Sequence, residues 1–293
     1  MRPLLATCLM FAALVPAAGA SLLHPGPTLP HGTQLRRDLS YGADPAQALD
    51  VYSPSEGGPA RPIIVMVHGG AWAYGDKYSR GVVQGKLGHW APRGYLFVSV
   101  NYRMLPAQDV AGQAADVASA LAFVQAHARE WGGDPSRLTL MGHSAGAHLV
   151  ALLSADPALA RSHGAERWNA TVSLDSAALD VADIMQRPHL DLYDRAFGAD
   201  PAQWRRLSPV DRLTREAVPV LAVCSTLRPD HPCDQAREYT ERAKSLGVDG
   251  EVLPQELKHG QVNRELGAEE NYTAAVDQFI AAHSCTGGAA RAR

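Results

Sequence analysis

Continuous runs of apolar, mostly β-branched residues recur along this chain and alternate with stretches of helical periodicity. The strongest run covers residues 63–67, and such a run is typical of a strand buried on both faces of a parallel sheet. Comparable runs predict further strands at 48–52, 95–100, 138–141, 170–174, 218–224 and 252–253. Helical spacing predicts helices at 78–90, 111–131, 147–154 and 272–283. This alternation predicts an α/β fold with a mostly parallel, doubly wound sheet and helices on both faces.

The same pattern gives the domain organisation. Residues 21–45 are rich in Pro, Gly and His without a clear period, which predicts an extended N-terminal arm. Residues 46–284 form one predicted domain, because no repeat or low-complexity linker divides them. Within it, apolar residues at 180–208 are interleaved with charges and turn residues, which predicts a small cap-like insertion above the sheet. The tail at 285–293 is predicted to be disordered.

The N-terminus has the layout of a secretory signal peptide over residues 1–20. A positive start precedes a short apolar run, and Ala18-Gly19-Ala20 matches an A-x-A cleavage pattern. The run is too short to span a bilayer comfortably, so a membrane anchor is the weaker alternative and a lipoprotein at Cys8 weaker still. The sequence therefore predicts a secreted or periplasmic protein with no stable membrane insertion after cleavage.

Composition narrows the function classes. The chain has 293 residues, 46% of them hydrophobic and 19% charged, and a formal net charge of −3. No basic face for nucleic acid stands out, and no phosphate loop or dinucleotide fingerprint is present. The twelve histidines lack a metal-ligand spacing. We therefore predict no metal, no cofactor and no nucleic-acid partner, and the oligomeric state stays open.

A G-x-S-x-G pattern at residues 142–146 lies between a predicted strand and a predicted helix. In this context the serine occupies a sharp, strained turn that exposes its hydroxyl at the edge of the sheet. Glycines two residues to either side leave room for that turn and for close helix packing. The pattern predicts that Ser144 is a nucleophile.

A second motif, His68-Gly69-Gly70-Ala71-Trp72, directly follows the strand predicted at 63–67. Acyl transfer needs N–H donors aimed at the developing oxyanion, and two consecutive glycines let backbone amides turn inward. We predict that the amides of Gly70, Ala71 and Ala145 form this oxyanion hole. The predicted lining or support of the substrate pocket comes from the same segment and from the neighbour of the serine: His68, Gly69, Trp72 and His143.

These motifs carry a family resemblance. Residues 68–77, HGGAWAYGDK, resemble the HGGxW signature of the kynurenine formamidase-like and hormone-sensitive-lipase-like branches of the α/β-hydrolases. The N-Y-R at 101–103, the G-G-D-P at 132–135 and the GHSAG elbow are similar to those branches too, and the likeness covers roughly residues 48–280. It implies an α/β-hydrolase fold and acyl hydrolysis, without specifying a substrate.

The α/β-hydrolase fold carries its triad in the order Ser, acid, His. His259 follows the last predicted strand and precedes the C-terminal helix, so it is the predicted base. The resemblance places an Asp near position 228, where this chain has Arg228. Asp230 is the preferred acid and Asp234 the alternative, while Asp175 or a dyad without an acid stays open.

Three cysteines remain after signal cleavage, and an odd number cannot pair fully within one molecule. Cys224 and Cys233 flank the predicted acid loop and could form a disulfide there, which the sequence leaves undecided. Cys285 lies in the polar tail and is predicted to be free.

The leading functional hypothesis is a secreted serine hydrolase that cleaves a small carboxylic ester through an acyl-enzyme on Ser144. An arylformamidase is the alternative enzyme, favoured by the HGGxW motif but opposed by the signal peptide. The alternative outside the enzymes is a non-catalytic binding protein that kept the fold. This alternative is raised by Arg228, which stands where the family commonly has an acid.

Overall fold

The computed structural model describes residues 26–176 and 178–284. The predicted signal peptide (1–20), the start of the arm and the predicted tail (285–293) lie outside the described residues, as does Cys285. Within the described part, no helix is both long enough and apolar enough to cross a bilayer.

A single mixed sheet forms the centre of the described chain, with strand order β1-β2-β4-β3-β5-β6-β7-β8. β1 pairs antiparallel with β2, and β2 pairs antiparallel with β4. All pairings among β3 to β8 are parallel. The strands are β1 Thr33–Ser40, β2 Ala48–Pro54, β3 Arg61–Val67, β4 Leu96–Val100, β5 Gly133–His143, β6 Ala170–Leu174, β7 Val220–Ser225 and β8 Gly250–Gln255. The predicted mostly parallel, doubly wound architecture is therefore observed.

One strand was not expected from the sequence. β1 lies inside the segment 21–45, which the absence of a period had predicted to be an extended arm. Its side chains are half-buried or exposed, and its pairing with β2 is interrupted by an irregularity between Arg36 and Leu39. A half-exposed edge strand has no buried face to impose alternation, so its sequence carries little signal.

Eleven α-helices are present in the described chain, together with short 3₁₀ turns at Ala91–Arg93 and Ala128–Trp131. Four of the five helices of eleven or more residues in the described chain agree with the predicted periodic segments, whereas the helix at Pro232–Ser245 was not predicted. Side-chain caps, such as Asp109 accepting from the Gly112 amide, begin several of the eleven helices. The helices are α1 Arg80–Trp90, α2 Val110–His127, α3 Ala145–Ala155, α4 Pro157–Arg161, α5 Val181–Met185, α6 Asp191–Phe197, α7 Pro201–Leu207, α8 Pro209–Arg212, α9 Pro232–Ser245, α10 His259–Glu265 and α11 Glu270–His283.

The core lies on both faces of the sheet, as a strand buried on both sides requires. Along β3, Ile63, Val65 and Val67 pack in the cluster that contains α2 and α3. Ile64 and Met66 pack in the cluster that contains α1, α10 and α11. Each such side chain contributes about 1.5–3 kcal/mol on burial. This two-sided packing fixes the carboxyl ends of β3, β5, β6 and β7, from which the candidate site is built.

Candidate active site

Ser144 is the single residue between the end of β5 and the start of α3. Its φ of 55° and ψ of −119° lie outside the backbone regions that non-glycine residues prefer, and this strain costs on the order of 1–3 kcal/mol. The two flanking glycines permit the turn. A Cβ on Gly142 would lie 2.3 Å from the Gly146 carbonyl oxygen, and one on Gly146 would lie 2.4 Å from that of His68. The strained turn is thus wedged between neighbouring strands and presents the hydroxyl at the sheet edge.

His259 is the first residue of α10, directly after the loop that follows β8. Its Nε2 lies 2.9 Å from Ser144 Oγ, and its Nδ1 lies 2.6 Å from Oδ2 of Asp175. An ionised carboxylate can only accept, so Nδ1 carries the proton and Nε2 accepts from the serine hydroxyl. This tautomer is the one in which an imidazole can take the hydroxyl proton.

Asp175 completes this chain of hydrogen bonds. It follows β6 with a φ of 57°, its side chain is fully buried, and the Ser225 amide donates to its Oδ1 at 2.8 Å. Burial by itself would raise the pKa of Asp175, but the bond from His259 and the charge of Arg228 outweigh it, so the pKa lies below its ordinary value. The carboxylate therefore stays ionised beside the imidazole.

The structure corrects the predicted acid. Asp230 does not contact His259 but receives a bond from Arg228 Nε at 2.9 Å, and Asp234 pairs with Arg237 at 2.7 Å on the exposed side of α9. The guanidinium of Arg228 takes the place next to His259 that the acid was expected to fill. The sequence carried only a weak signal for Asp175, since it directly follows a predicted strand, but Asp230 and Asp234 also follow one.

The HGG segment forms a tight loop after β3. Gly70 has a φ of 126°, and a Cβ there would lie 2.0 Å from the Tyr74 carbonyl oxygen, so only glycine fits. Ala71 and Trp72 follow with positive φ. Ala71 and Ala145 line the cavity beside Ser144, and their amides donate to no acceptor in the described chain. Gly70 is not among the lining residues. Two of the three residues predicted to supply the amides of the oxyanion hole thus line the cavity that holds Ser144.

A cavity of about 1010 Å³ opens over Ser144 and His259. Trp72 lines it, as predicted, whereas His68, Gly69 and His143 do not. His68 is buried and stacks on Tyr102 with ring centroids 4.6 Å apart. His143 lies behind His259, and its Nε2 donates to the His259 carbonyl at 3.1 Å. The two histidines are therefore buried beneath the site and do not line the cavity.

The predicted cap, residues 180–208, supplies much of the cavity wall. It folds into α5, α6 and α7, and its contribution to the lining is largely apolar apart from Asp183, Arg187 and His189. The apolar members are Ile184, Pro188, Leu190, Leu192 and Tyr193. The cap therefore decides which groups can approach the serine.

A buried histidine joins the cap to the loop after β3. Trp72 Nε1 donates to His148 Nδ1 at 3.3 Å, and His148 Nε2 donates to the Leu207 carbonyl at 2.8 Å. Trp72 also packs edge-on against Phe197, with ring centroids 4.9 Å apart. Both nitrogens of His148 are used in one neutral tautomer, so protonation would break the bond from Trp72.

This arrangement makes stability sensitive to acid. Burial lowers the pKa of His148 to about 4, although its bond to the Leu207 carbonyl partly opposes the shift. The unfolded chain takes up this proton already near pH 6.5. The free energy of unfolding is therefore expected to fall as pH drops from about 6.5 to 4, by on the order of 3 kcal/mol from this residue.

Urea unfolding of the wild type and of His148→Gln at several pH values measures this loss. Glutamine can accept from Trp72 and donate to Leu207 but does not titrate, so its stability curve should be flatter over that window. Parallel curves for the two proteins would contradict the assignment.

A disulfide joins Cys224 at the end of β7 to Cys233 in the first turn of α9. This settles the pairing that the sequence left undecided. The bridge closes the loop of residues 225–232, which carries Arg228 and Asp230 to the cavity. It therefore anchors both ends of the segment that contacts Asp175 and His259.

Comparisons with known proteins agree with this architecture. A family model described as BD-FAE matches residues 49–241. The chain is 31% identical to esterase LipC of Mycobacterium tuberculosis over 72% of its own length and 55% of that protein. It is 27% identical to the isoprenylcysteine alpha-carbonyl methylesterase ICME of Arabidopsis thaliana over 84% of its length and 60% of that protein. The chain thus spans little more than half the length of these relatives.

Solved structures share the fold. Esterase B from Lactobacillus rhamnosis superposes with a TM-score of 0.70 over 88% of each chain, at 22% identity. A truncated carbohydrate esterase from gut microbiota gives a TM-score of 0.74 over 89% of this chain and 99% of that one, at 18% identity. These likenesses confirm the predicted α/β-hydrolase fold.

Proposed function

We propose that this chain, which belongs to the BD-FAE family, hydrolyses carboxylic esters through an acyl-enzyme on Ser144. The observation that carries the proposal is the continuous set of hydrogen bonds from Ser144 through His259 to the buried Asp175, at 2.9 and 2.6 Å. The names of the similar proteins support the ester-hydrolase class, since LipC is described as an esterase and ICME as a methylesterase. The proposal also includes the likeness to the kynurenine formamidase-like and hormone-sensitive-lipase-like branches, which the HGGxW motif suggests.

In the first half of the reaction His259 takes the hydroxyl proton while Ser144 Oγ attacks the ester carbonyl. The carbonyl oxygen becomes an oxyanion, and in this proposal the amides of Ala71 and Ala145 donate to it. Collapse of this intermediate breaks the bond to the alcohol. His259 then returns the proton to the alcohol oxygen as it leaves.

In the second half water enters the site, and His259 removes its proton as the oxygen attacks the acyl carbon. The oxyanion forms again and collapses, which breaks the bond to Ser144 and releases the carboxylic acid, while His259 returns the proton to Ser144 Oγ. Asp175 stays ionised throughout, because its pKa lies below its ordinary value. The carboxylate, bonded to Nδ1, stabilises the imidazolium that forms at each step.

Two assays test this function. The wild type is expected to turn over a short-chain aryl ester and to bind a fluorophosphonate probe covalently at Ser144, as located by peptide mass. Turnover of N-formylkynurenine without ester hydrolysis would instead favour the arylformamidase. A folded protein that the probe does not label would favour the non-catalytic binding protein.

We also propose that the chain is exported. The N-terminal pattern at residues 1–20 supports this, and so does the bridge between Cys224 and Cys233, because disulfides persist mainly in oxidising compartments. When the full chain is expressed in a secreting host, the protein in the exported fraction is expected to begin at Ser21. An uncleaved chain that stays inside the cell would contradict export.

A further inference from the structure

Arg228 stands where the fold usually provides an acid, and the reaction sketched above does not use it. Its side chain is 16% exposed, and its guanidinium contacts two carboxylates and the imidazole. Nη1 donates to the Asp175 backbone carbonyl and to Asp175 Oδ2, both at 3.1 Å, and lies 3.0 Å from His259 Nδ1. The opposite edge, formed by Nε and Nη2, donates to both oxygens of Asp230. We infer that Arg228 is a positioning residue, oriented by Asp230, which fixes the Asp175 carboxylate against His259.

The need for such a residue follows from the burial of Asp175. Its side chain has no exposure to solvent, and an unpaired buried carboxylate is costly. Arg228 supplies a permanent positive charge beside Asp175, because its Nη1 lies 3.1 Å from Oδ2. Its two bonds to Asp175 hold the side chain and the backbone of a residue with positive φ at the same time. The carboxylate is thereby kept in the rotamer that points Oδ2 at Nδ1.

Asp230 removes the disadvantage of a cation next to the base. A lone guanidinium 3.0 Å from Nδ1 would oppose the imidazolium that must form during the reaction. Asp230 binds that guanidinium through both oxygens and balances its charge. When His259 is protonated, two cations and two carboxylates face one another and the cluster is neutral. The pair therefore braces Asp175 without adding net charge.

This inference rests on the proposed function and has its own test. Arg228→Gln is expected to lower kcat about 10²-fold, as for a misplaced catalytic group, while KM stays within about twofold. Arg228→Lys keeps the charge but loses the edge that binds Asp230, so a loss of about tenfold is expected. Guanidinium ion at millimolar concentration should restore part of the activity of Arg228→Ala.

A spectroscopic readout separates positioning from a general structural role. The His259 Nδ1 proton, held by Asp175, should give a downfield proton NMR signal in the wild type that weakens or shifts in Arg228→Gln. Arg237→Gln is the matched control, because Arg237 also pairs with a carboxylate but lies on the exposed side of α9. The control should leave both kcat and the signal unchanged.

The outcomes are distinguishable. Wild-type kcat in a folded Arg228→Gln, or a lower kcat with an unchanged Nδ1 signal, would overturn the positioning role. If Arg228→Gln does not fold, Arg228→Lys decides, and a folded lysine variant with wild-type kcat would overturn it as well. Failure of the proposed function looks different, because the wild type itself would then neither hydrolyse the ester nor react with the fluorophosphonate.

Discussion

Ser144→Ala is expected to lower kcat for a short-chain aryl ester on the order of 10⁶-fold and to abolish fluorophosphonate labelling. Alanine lacks the hydroxyl oxygen that attacks the carbonyl, so no acyl-enzyme forms. The residual rate would come from the amides of Ala71 and Ala145 and from substrate binding alone. Steady-state kinetics and intact-protein mass spectrometry measure the two effects.

Alanine also relieves little of the backbone strain at this position, because φ stays positive there. Thermal unfolding should therefore change far less than the activity. Ser245→Ala is the matched control, since Ser245 is an exposed serine at the end of α9 whose hydroxyl donates to the Arg242 carbonyl. A folded Ser144→Ala that keeps more than a trace of wild-type kcat would show that another nucleophile carries the reaction.

Asp175→Asn is expected to lower kcat about 10⁴-fold, the scale found when a triad carboxylate becomes an amide. An amide can donate to Nδ1, which would favour the imidazole tautomer with its proton on Nε2 and would block removal of the serine proton. The neutral side chain would also fail to stabilise the imidazolium. The same assay with Asp230→Asn and Asp234→Asn compares all three candidate acids directly.

The geometry ranks these variants. Asp230→Asn should cost about tenfold, because Asp230 acts through Arg228. Asp234→Asn should cost less still, because its carboxylate bonds to the surface residue Arg237. Asp277→Asn is a control for a lost histidine–aspartate contact, since His89 bonds to Asp277 outside the cavity. A 10⁴-fold loss in Asp230→Asn with a mild loss in Asp175→Asn would reverse the assignment.

Local sequence was sufficient where the chemistry depends on neighbours in the chain. The continuous apolar run at residues 63–67 predicted β3, and the G-x-S-x-G pattern between a strand and a helix predicted the strained turn at Ser144. The two glycines of the HGG segment gave the loop that places Ala71 beside it. In each case the feature depends on a local backbone conformation or on the hydrophobicity of one strand, and consecutive residues determine both.

The partner of His259 could not be read in this way. Candidate acids follow both β6 and β7, and only the sheet order and the direction of each turn decide which carboxylate reaches Nδ1. The side chain of Arg228 lies beside the imidazole and donates to both Asp175 and Asp230. The edge strand β1 was not predicted for a related reason. Its residues are half-buried or exposed, so its sequence shows no regular alternation of apolar and polar residues.

The sequence by itself therefore determined the fold class, the turn that carries Ser144 and the placement of His259 after the last strand. The tertiary structure decided which carboxylate bonds to His259, the pairing of Cys224 with Cys233 and the wall that the cap adds to the cavity. The physical reason is distance along the chain. Asp175, Arg228 and His259 are brought together by the packing of separate strands, and contacts between remote residues leave no local pattern.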